Sequence, residues 1–193
     1  MSASQTKKKP AAFKAGQEIV YPLQGVGTIQ KIEEREFQGN PMMYYVIYLE
    51  VSDMTVMVPI DRAEELGIRA IVSAKDAEHA MQLVGEASDP IPADWKMRYQ
   101  MNLDLLKEGS VSDIARVVRS LYHRSKIKEL PILERKLFDS ALTLLVAETA
   151  SALGKTKKEM EEAIFTRLES EKPELAEDEE DTMTDDLDED LEV

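Results

Sequence analysis

The chain contains no cysteine. That excludes a disulfide scaffold, a thiolate metal centre and a cysteine nucleophile, and it fits a reducing compartment. Aromatic residues are scarce at 6%, with a single tryptophan. No run approaches the roughly 18–20 apolar residues needed to cross a bilayer. Met1 to Pro10 is polar and has no apolar run of the signal-peptide kind. A soluble cytoplasmic monomer without a membrane partner is the expectation. Catalytic patterns are missing as well. His79 and His123 stand in no metal-binding spacing. Gly154-Lys155-Thr156 lacks the glycine-rich turn of a phosphate loop and reads as a helix cap. Gly25-x-Gly27 has no third glycine. The chain reads as a non-enzyme without metal or cofactor.

What is present is an uneven charge. Of 193 residues, 38 are acidic and 24 basic, a net charge of -14. Fourteen of those acids, against one lysine, fall in Glu169–Val193. The remainder of the chain is therefore nearly neutral. Residues 1–10, with Lys7, Lys8 and Lys9, are expected to form a disordered basic leader, and 169–193 a disordered acidic tail.

Between them the chain changes pattern once. Residues 11–66 read as a small antiparallel β unit. Glu18-Ile19-Val20-Tyr21 is a short strand stopped by Pro22, and Gly25 and Gly27 mark a bend. Thr28–Phe37 alternates up to a Gln38-Gly39-Asn40 turn. Met42–Val51 is aromatic and β-branched, and Met54–Pro59 returns with period two. Tyr44 and Tyr48 share one face of their strand and Tyr45 the other. Residues 67–168 read as about five helices. Their signals are caps at Ser73, Ser110 and Thr156 (the last with Glu159), a Pro92-to-Trp95 start, and stops at Gly85, Gly109 and Gly154. The expected class is α+β: a small β barrel or curled antiparallel sheet, followed by a compact helical domain.

Positive charge collects in the second unit. Residues 93–128 hold eight Lys or Arg and four acids. Arg116, Arg119 and His123 lie at i, i+3 and i+7, a single helical stripe, with Val118, Leu121 and Tyr122 on another side. Arg124, Lys126 and Lys128 follow, and Lys96 and Arg98 flank Trp95. Such a face is suited to phosphate. It also fits a solvated helix balanced by acids elsewhere. An indole at a helix start beside cations is suited to an unstacked base or a minor groove. Equally, it can pack a linker against a core.

Several segments in order resemble the CarD/CdnL family of bacterial transcription regulators. In the β unit they are Phe13-Lys14-x-Gly16-x-x-Ile19-Val20-Tyr21-Pro22-x-x-Gly25-x-Gly27, Tyr45-x-x-x-Leu49 and Asp53-Met54-Thr55-Val56-Met57-Val58-Pro59. In the helical unit they are Asp94-Trp95-Lys96-x-Arg98-Tyr99, Asn102-Leu103, Gly109-Ser110-x-x-Asp113-Ile114-Ala115, and Glu134-Arg135-Lys136 with Ala141–Glu148. The resemblance implies a Tudor-like RNA polymerase-interacting domain that extends a sheet of the β-subunit protrusion, or β1 lobe. Arg35, Tyr45, Val56 and Met57 are the polymerase-facing candidates. It implies a helical domain at the upstream edge of the promoter bubble, where Trp95 wedges into the fork. Lys96, Arg98, Arg116, Arg119 and Arg124 are the DNA-facing candidates.

The chain departs from the family pattern in three places. Met57 stands where the family often has Arg, Met97 interrupts a basic pair, and Tyr122-His123 replaces a frequent Trp-Arg. The expected function is stabilisation of the promoter open complex without catalysis. The alternative is a polymerase-bound adaptor whose helices meet another protein.

Overall fold

The computed structural model describes residues 11–87 and 92–170. The basic leader, and the acidic tail from residue 171 onward, lie outside the described residues.

Five strands form one antiparallel sheet: β1 (Glu18–Tyr21), β2 (Gly25–Phe37), β3 (Asn40–Leu49), β4 (Met54–Pro59) and β5 (Arg69–Ala70). Their order is β4-β3-β2-β1-β5. The sheet is open, which corrects the barrel form of the expectation; the two edge strands do not pair. Gln38 and Gly39, at φ 52° and 78°, make a two-residue turn between the partners Phe37 and Asn40. Two successive left-handed residues match the twist of the long hairpin. One bulge between Ile29 and Lys31 bends it. After a short 3-10 turn (Ile60–Arg62), Gly67 at φ 71° returns the chain, so that β5 pairs with β1. The sheet thereby runs past residue 66. Ile19, Ile29, Tyr45, Ile47, Leu49 and Val58 form its core, closed over by Ile60, Ala63 and Ile68.

Five helices follow: α1 (Ala74–Val84), α2 (Trp95–Glu108), α3 (Val111–Ile127), α4 (Ile132–Leu153) and α5 (Lys157–Ser170). The expected caps are formed. The hydroxyls of Ser73 and Ser110 accept from the backbone N–H of Asp76 and Asp113. Thr156 and Glu159 exchange reciprocal bonds, Glu159 N–H to Thr156 Oγ1 at 3.2 Å and Thr156 N–H to Glu159 Oε2 at 2.8 Å. Gly109 and Gly154, both left-handed, end α2 and α4. Packing stabilises the bundle more than local propensity does. Helix α3 packs against each of the other four, and its buried side chains occupy nearly every phase of the helix.

The two units meet along α4. Gly25, at φ 88°, brings β2 so close that an added Cβ would stand 3.2 Å from Leu144. Around this contact Val20 and Val26 share a small apolar cleft with Leu106, Ile114 and Leu144. At its rim Arg69 of β5 forms a two-pronged ion pair with Glu148 of α4, its two terminal nitrogens at 2.5 and 2.9 Å from the carboxylate oxygens. Arg69 also donates to the Gly109 carbonyl at 2.7 Å, and Glu148 accepts from the Val72 N–H at 3.3 Å. Lys157 reaches Glu50 at 2.8 Å, and Ser151 bonds Glu18.

Removing Glu148 leaves the Arg69 guanidinium half-enclosed without its counter-ion. Glu148→Ala is expected to lower unfolding stability by about 2 kcal/mol, below the roughly 3–5 of fully enclosed pairs because Arg69 keeps some water contact. Urea denaturation measures it; an unchanged midpoint and slope would show that the junction contributes nothing to folding.

Candidate polymerase and nucleic-acid interfaces

The β unit offers an edge. Among the described residues β4 has a strand partner on one side only, so its other margin carries backbone groups able to pair with an incoming strand. Val56 and Met57 lie on this edge strand, both half-buried. Met57 pairs with Val46, which pairs in turn with Lys31. Arg35 is exposed and pairs with Met42. It therefore stands four residues along the hairpin from that row, about 13 Å at strand spacing, beyond the end of β4. Arg35 and Met57 are separate points of one face or edge, not a single cluster.

Glu33 sits between Lys31 and Arg35, at 2.5 and 2.7 Å. These two cations, Lys31 first, hold its carboxyl below the usual glutamate value. Tyr45 corrects the expectation of a partner-facing side chain. It is 0% exposed, stacks at a tilt on Phe13, and its hydroxyl accepts from the Phe13 N–H. Its period-two neighbours Ile47 and Leu49 are enclosed with it, and that phase was the available signal.

The helical unit offers the tryptophan. The Asp94 carboxylate caps α2 by accepting from the N–H groups of Lys96 and Met97 at 2.7 and 3.3 Å. Trp95 is thus the first helical residue. Its ring is half-buried, with the Lys96 ammonium 5.9 Å from the ring centre, within cation–π range. Met97 beside it is 63% exposed.

Arg98, expected to hold phosphate, does something else. It is 1% exposed, and its Nε and Nη2 bond the two carboxylate oxygens of Glu134 at 2.7 and 3.0 Å. Its Nη1 donates to the carbonyls of Pro92 and Ala93 at 2.8 and 3.0 Å. A fork that is 1% exposed, with each of its three nitrogens engaged inside the protein, is not presented to DNA. The guanidinium instead ties the residues just before Trp95 to the start of α4. Arg98 is in phase with the buried Asn102 and Leu106, which is how the sequence betrays it.

The basic stripe of α3 is also redistributed. Arg119 is 4% exposed, donates to the Leu83 carbonyl at 3.1 Å and lies 3.8 Å from Glu86. It closes the end of α1 rather than facing outward, and His123 is buried beside Tyr122. Arg116 is exposed and paired with Asp113 at 2.9 Å. Arg124 is half-buried, and Lys126 and Lys128 are exposed. Arg119, His123, Arg124 and Lys128 are all engaged in polar or ring contacts. Lys126 lies 4.6 Å above the Tyr122 ring, and that phenol, with a smaller contribution from Glu169, raises its ammonium above the usual lysine value.

Among the described residues no group of His, Asp and Glu is arranged to hold a metal ion. No single described helix is long and apolar enough to cross a membrane.

The Arg98–Glu134 clamp makes a testable claim about the indole. With one tryptophan in the chain, intrinsic fluorescence reports Trp95 alone. Glu134→Ala is expected to shift the emission to longer wavelength and to raise quenching by iodide about twofold, with the far-ultraviolet dichroism of the helices retained. Arg98→Lys, which keeps charge but not the fork, is expected to behave likewise. Parent-like quenching in both would dismiss the clamp.

Comparison with known proteins places these two units. Residues 13–72 match the family model described as CarD-like/TRCF RID domain, and residues 79–165 match that of the CarD C-terminal domain. The chain is 37% identical over 150 residues to the "Putative transcription factor YdeB" of Bacillus subtilis, covering 77% of this chain and 97% of that protein. Among solved structures, "CdnLNt from Myxoccoccus xanthus" is 37% identical, covers 34% of this chain and 92% of that one, and superposes with a TM-score of 0.28.

Proposed function

The chain belongs to the CarD family of transcription factors, and we propose that it is a non-enzymatic regulator that binds the RNA polymerase β subunit and stabilises the open promoter complex. In this reading the free edge of β4 extends a sheet of the protrusion, with Val56 and Met57 as apolar contacts and Arg35 as a charged contact farther along the hairpin. The helical unit then lies on DNA at the upstream fork. Trp95 presses into the parted duplex, and Lys96, Arg116 and Arg124 lie against phosphates. Arg98 and Arg119 serve from inside, fixing the loop and the helix end that present the others.

The observation that supports this most is the pose of Trp95. A half-exposed ring beside Lys96 stands at a helix start pinned by a buried ion pair. A stacking group held in place loses less entropy on binding. If the indole fits the melted fork better than closed duplex, binding shifts the equilibrium toward the open state. A preference of about 1.4 kcal/mol gives a tenfold shift. No base-reading constellation stands with it, so the preference is for fork shape rather than sequence.

Within polymerase complexes, a fork-junction template is expected to bind more tightly than an intact duplex of the same sequence. Trp95→Ala is expected to erase that difference and shorten the open-complex lifetime several-fold. Equal affinities for fork and duplex in the parent would sink the wedge. On the other unit, Arg35→Glu leaves Glu33 without one of its cations and adds an acid beside it. Capture of the β subunit in a pull-down is expected to fall at least fivefold while binding to free DNA stays the same. Undiminished capture removes Arg35 from the interface.

One observation favours the adaptor reading. Met97, Ile132 and Leu133 are exposed on the two helix starts that the Arg98–Glu134 pair brings together. That apolar surface suits a protein as well as a base. A photo-crosslinker at Met97 in a promoter complex separates the two by labelling either DNA or protein.

A further inference from the structure

We propose that the basic C-terminal end of α3 is a docking surface for an acidic segment, and that its occupant is residues 171–193 of this same chain, which compete there with DNA phosphate. The competition with DNA rests on the function proposed above; the docking does not.

The ligand is defined by its sequence. Residues 171–193 carry thirteen acids and one lysine. The acids are dense at Glu177–Asp181 and again at Asp185–Asp190. Acids of that density attract any cluster of cations through Coulomb terms that salt weakens.

The surface is defined by where α5 ends. Helix α5 packs on α3 through Phe165, whose ring meets Tyr122 edge-on at 6.0 Å between centres. Farther along, Arg167 donates to the Met81 carbonyl, which fixes the last turn of α5 beside the end of α1. On the same Tyr122 ring that Phe165 meets lies the Lys126 ammonium, 4.6 Å from the ring centre. The described chain thus stops next to the cations of α3. Glu177–Asp181 follow Ser170 by at most eleven residues, so they lie within about 36 Å of it at full extension. That covers the whole end of α3. Arg124 and Lys126 occupy the last turn, and Lys128 follows.

A bland account of those cations exists: basic groups in a last turn complement the helix dipole. It explains their sign but not why the chain delivers thirteen acids to that one corner. Tethering places them there at an effective concentration in the millimolar range. Untethered DNA, bound through few phosphates, competes poorly with such a neighbour. DNA already held by the polymerase is tethered too and displaces the acids. The device therefore favours promoter DNA in the assembled complex over bulk DNA, without any base contact.

The test uses the full chain with the thirteen acids of 171–193 changed to Asn or Gln. In the free protein at low salt, neutralisation is expected to shift backbone amide resonances of residues 119–128 and leave β1–β5 unmoved. Carbodiimide treatment of the parent is expected to join acids of 171–193 to Lys126 and Lys128. For DNA, the neutralised chain is expected to bind a short duplex about tenfold tighter at 50 mM salt, with the gap closing near 300 mM. Unmoved resonances over 119–128, or crosslinks scattered evenly over the lysines of the chain, would overturn the docking. Docking without any change in DNA affinity would overturn the competition alone. If neither chain binds DNA, the function proposed above falls while the resonance and crosslink results still decide the docking.

Discussion

Helix α4 carries two enclosed carboxylates, one near each end, and each grips an arginine from another part of the chain. Glu134 holds Arg98 ahead of the tryptophan, and Glu148 holds Arg69 of the β unit. They are fourteen residues apart, close to four helical turns and about 21 Å. Both pairs use the arginine fork two-pronged, which fixes orientation as well as distance. Neither needs to add much to folding energy, because desolvation offsets most of the attraction. What they supply is position.

One helix therefore spaces the two candidate surfaces. The free edge of β4 belongs to a sheet anchored toward one end of α4, and the indole opens a helix whose preceding loop is anchored at the other. A factor that touches polymerase and DNA together gains from this only if its two surfaces keep a fixed separation. Each partner then raises the effective concentration of the other. The contact of Gly25 with Leu144 and the Arg69 bonds to both Glu148 and Gly109 resist sliding at the junction. Stiffness between the units and a held pose for Trp95 are thus one property of one helix.

Much of this was legible in the sequence, because local rules govern it. The strands of the hairpin, the caps at Ser73, Ser110 and Thr156, and the stops at Gly109 and Gly154 all followed from residues within four positions of each other. The resemblance carried the family. What failed was the assignment of arginines to the surface. Arg98 and Glu134 are 36 residues apart, and nothing local announces their pairing. The phase of Arg98 with Leu106 was a usable hint, as was that of Tyr45 with Ile47 and Leu49. Arg119 is harder: α3 is clearly amphipathic and the arginine lies off its apolar stripe, but the helix packs against all four others, so part of its polar side is enclosed as well. The openness of the sheet was illegible for a related reason, since closure depends on whether two edges meet, not on the composition of either.

Relocating those arginines changes the electrostatics of any DNA contact. Eight cations fall between residues 93 and 128, but Arg98 and Arg119 are enclosed, and Lys107 and Arg116 are paired with Asp104 and Asp113. The cations nearest the indole and the end of α3 are Lys96, Arg124, Lys126 and Lys128, of which Arg124 and Lys128 have contacts of their own. Each phosphate contact contributes roughly 0.9 to the salt slope, so the slope here is near that of four contacts or fewer. Binding of that kind is weak on free duplex. In the function proposed above, the hold on a promoter then comes from tethering through polymerase and from the indole, terms that salt barely touches. Under that proposal a weak electrostatic component makes occupancy conditional on the assembled complex, and it disfavours the far larger excess of DNA that carries no polymerase.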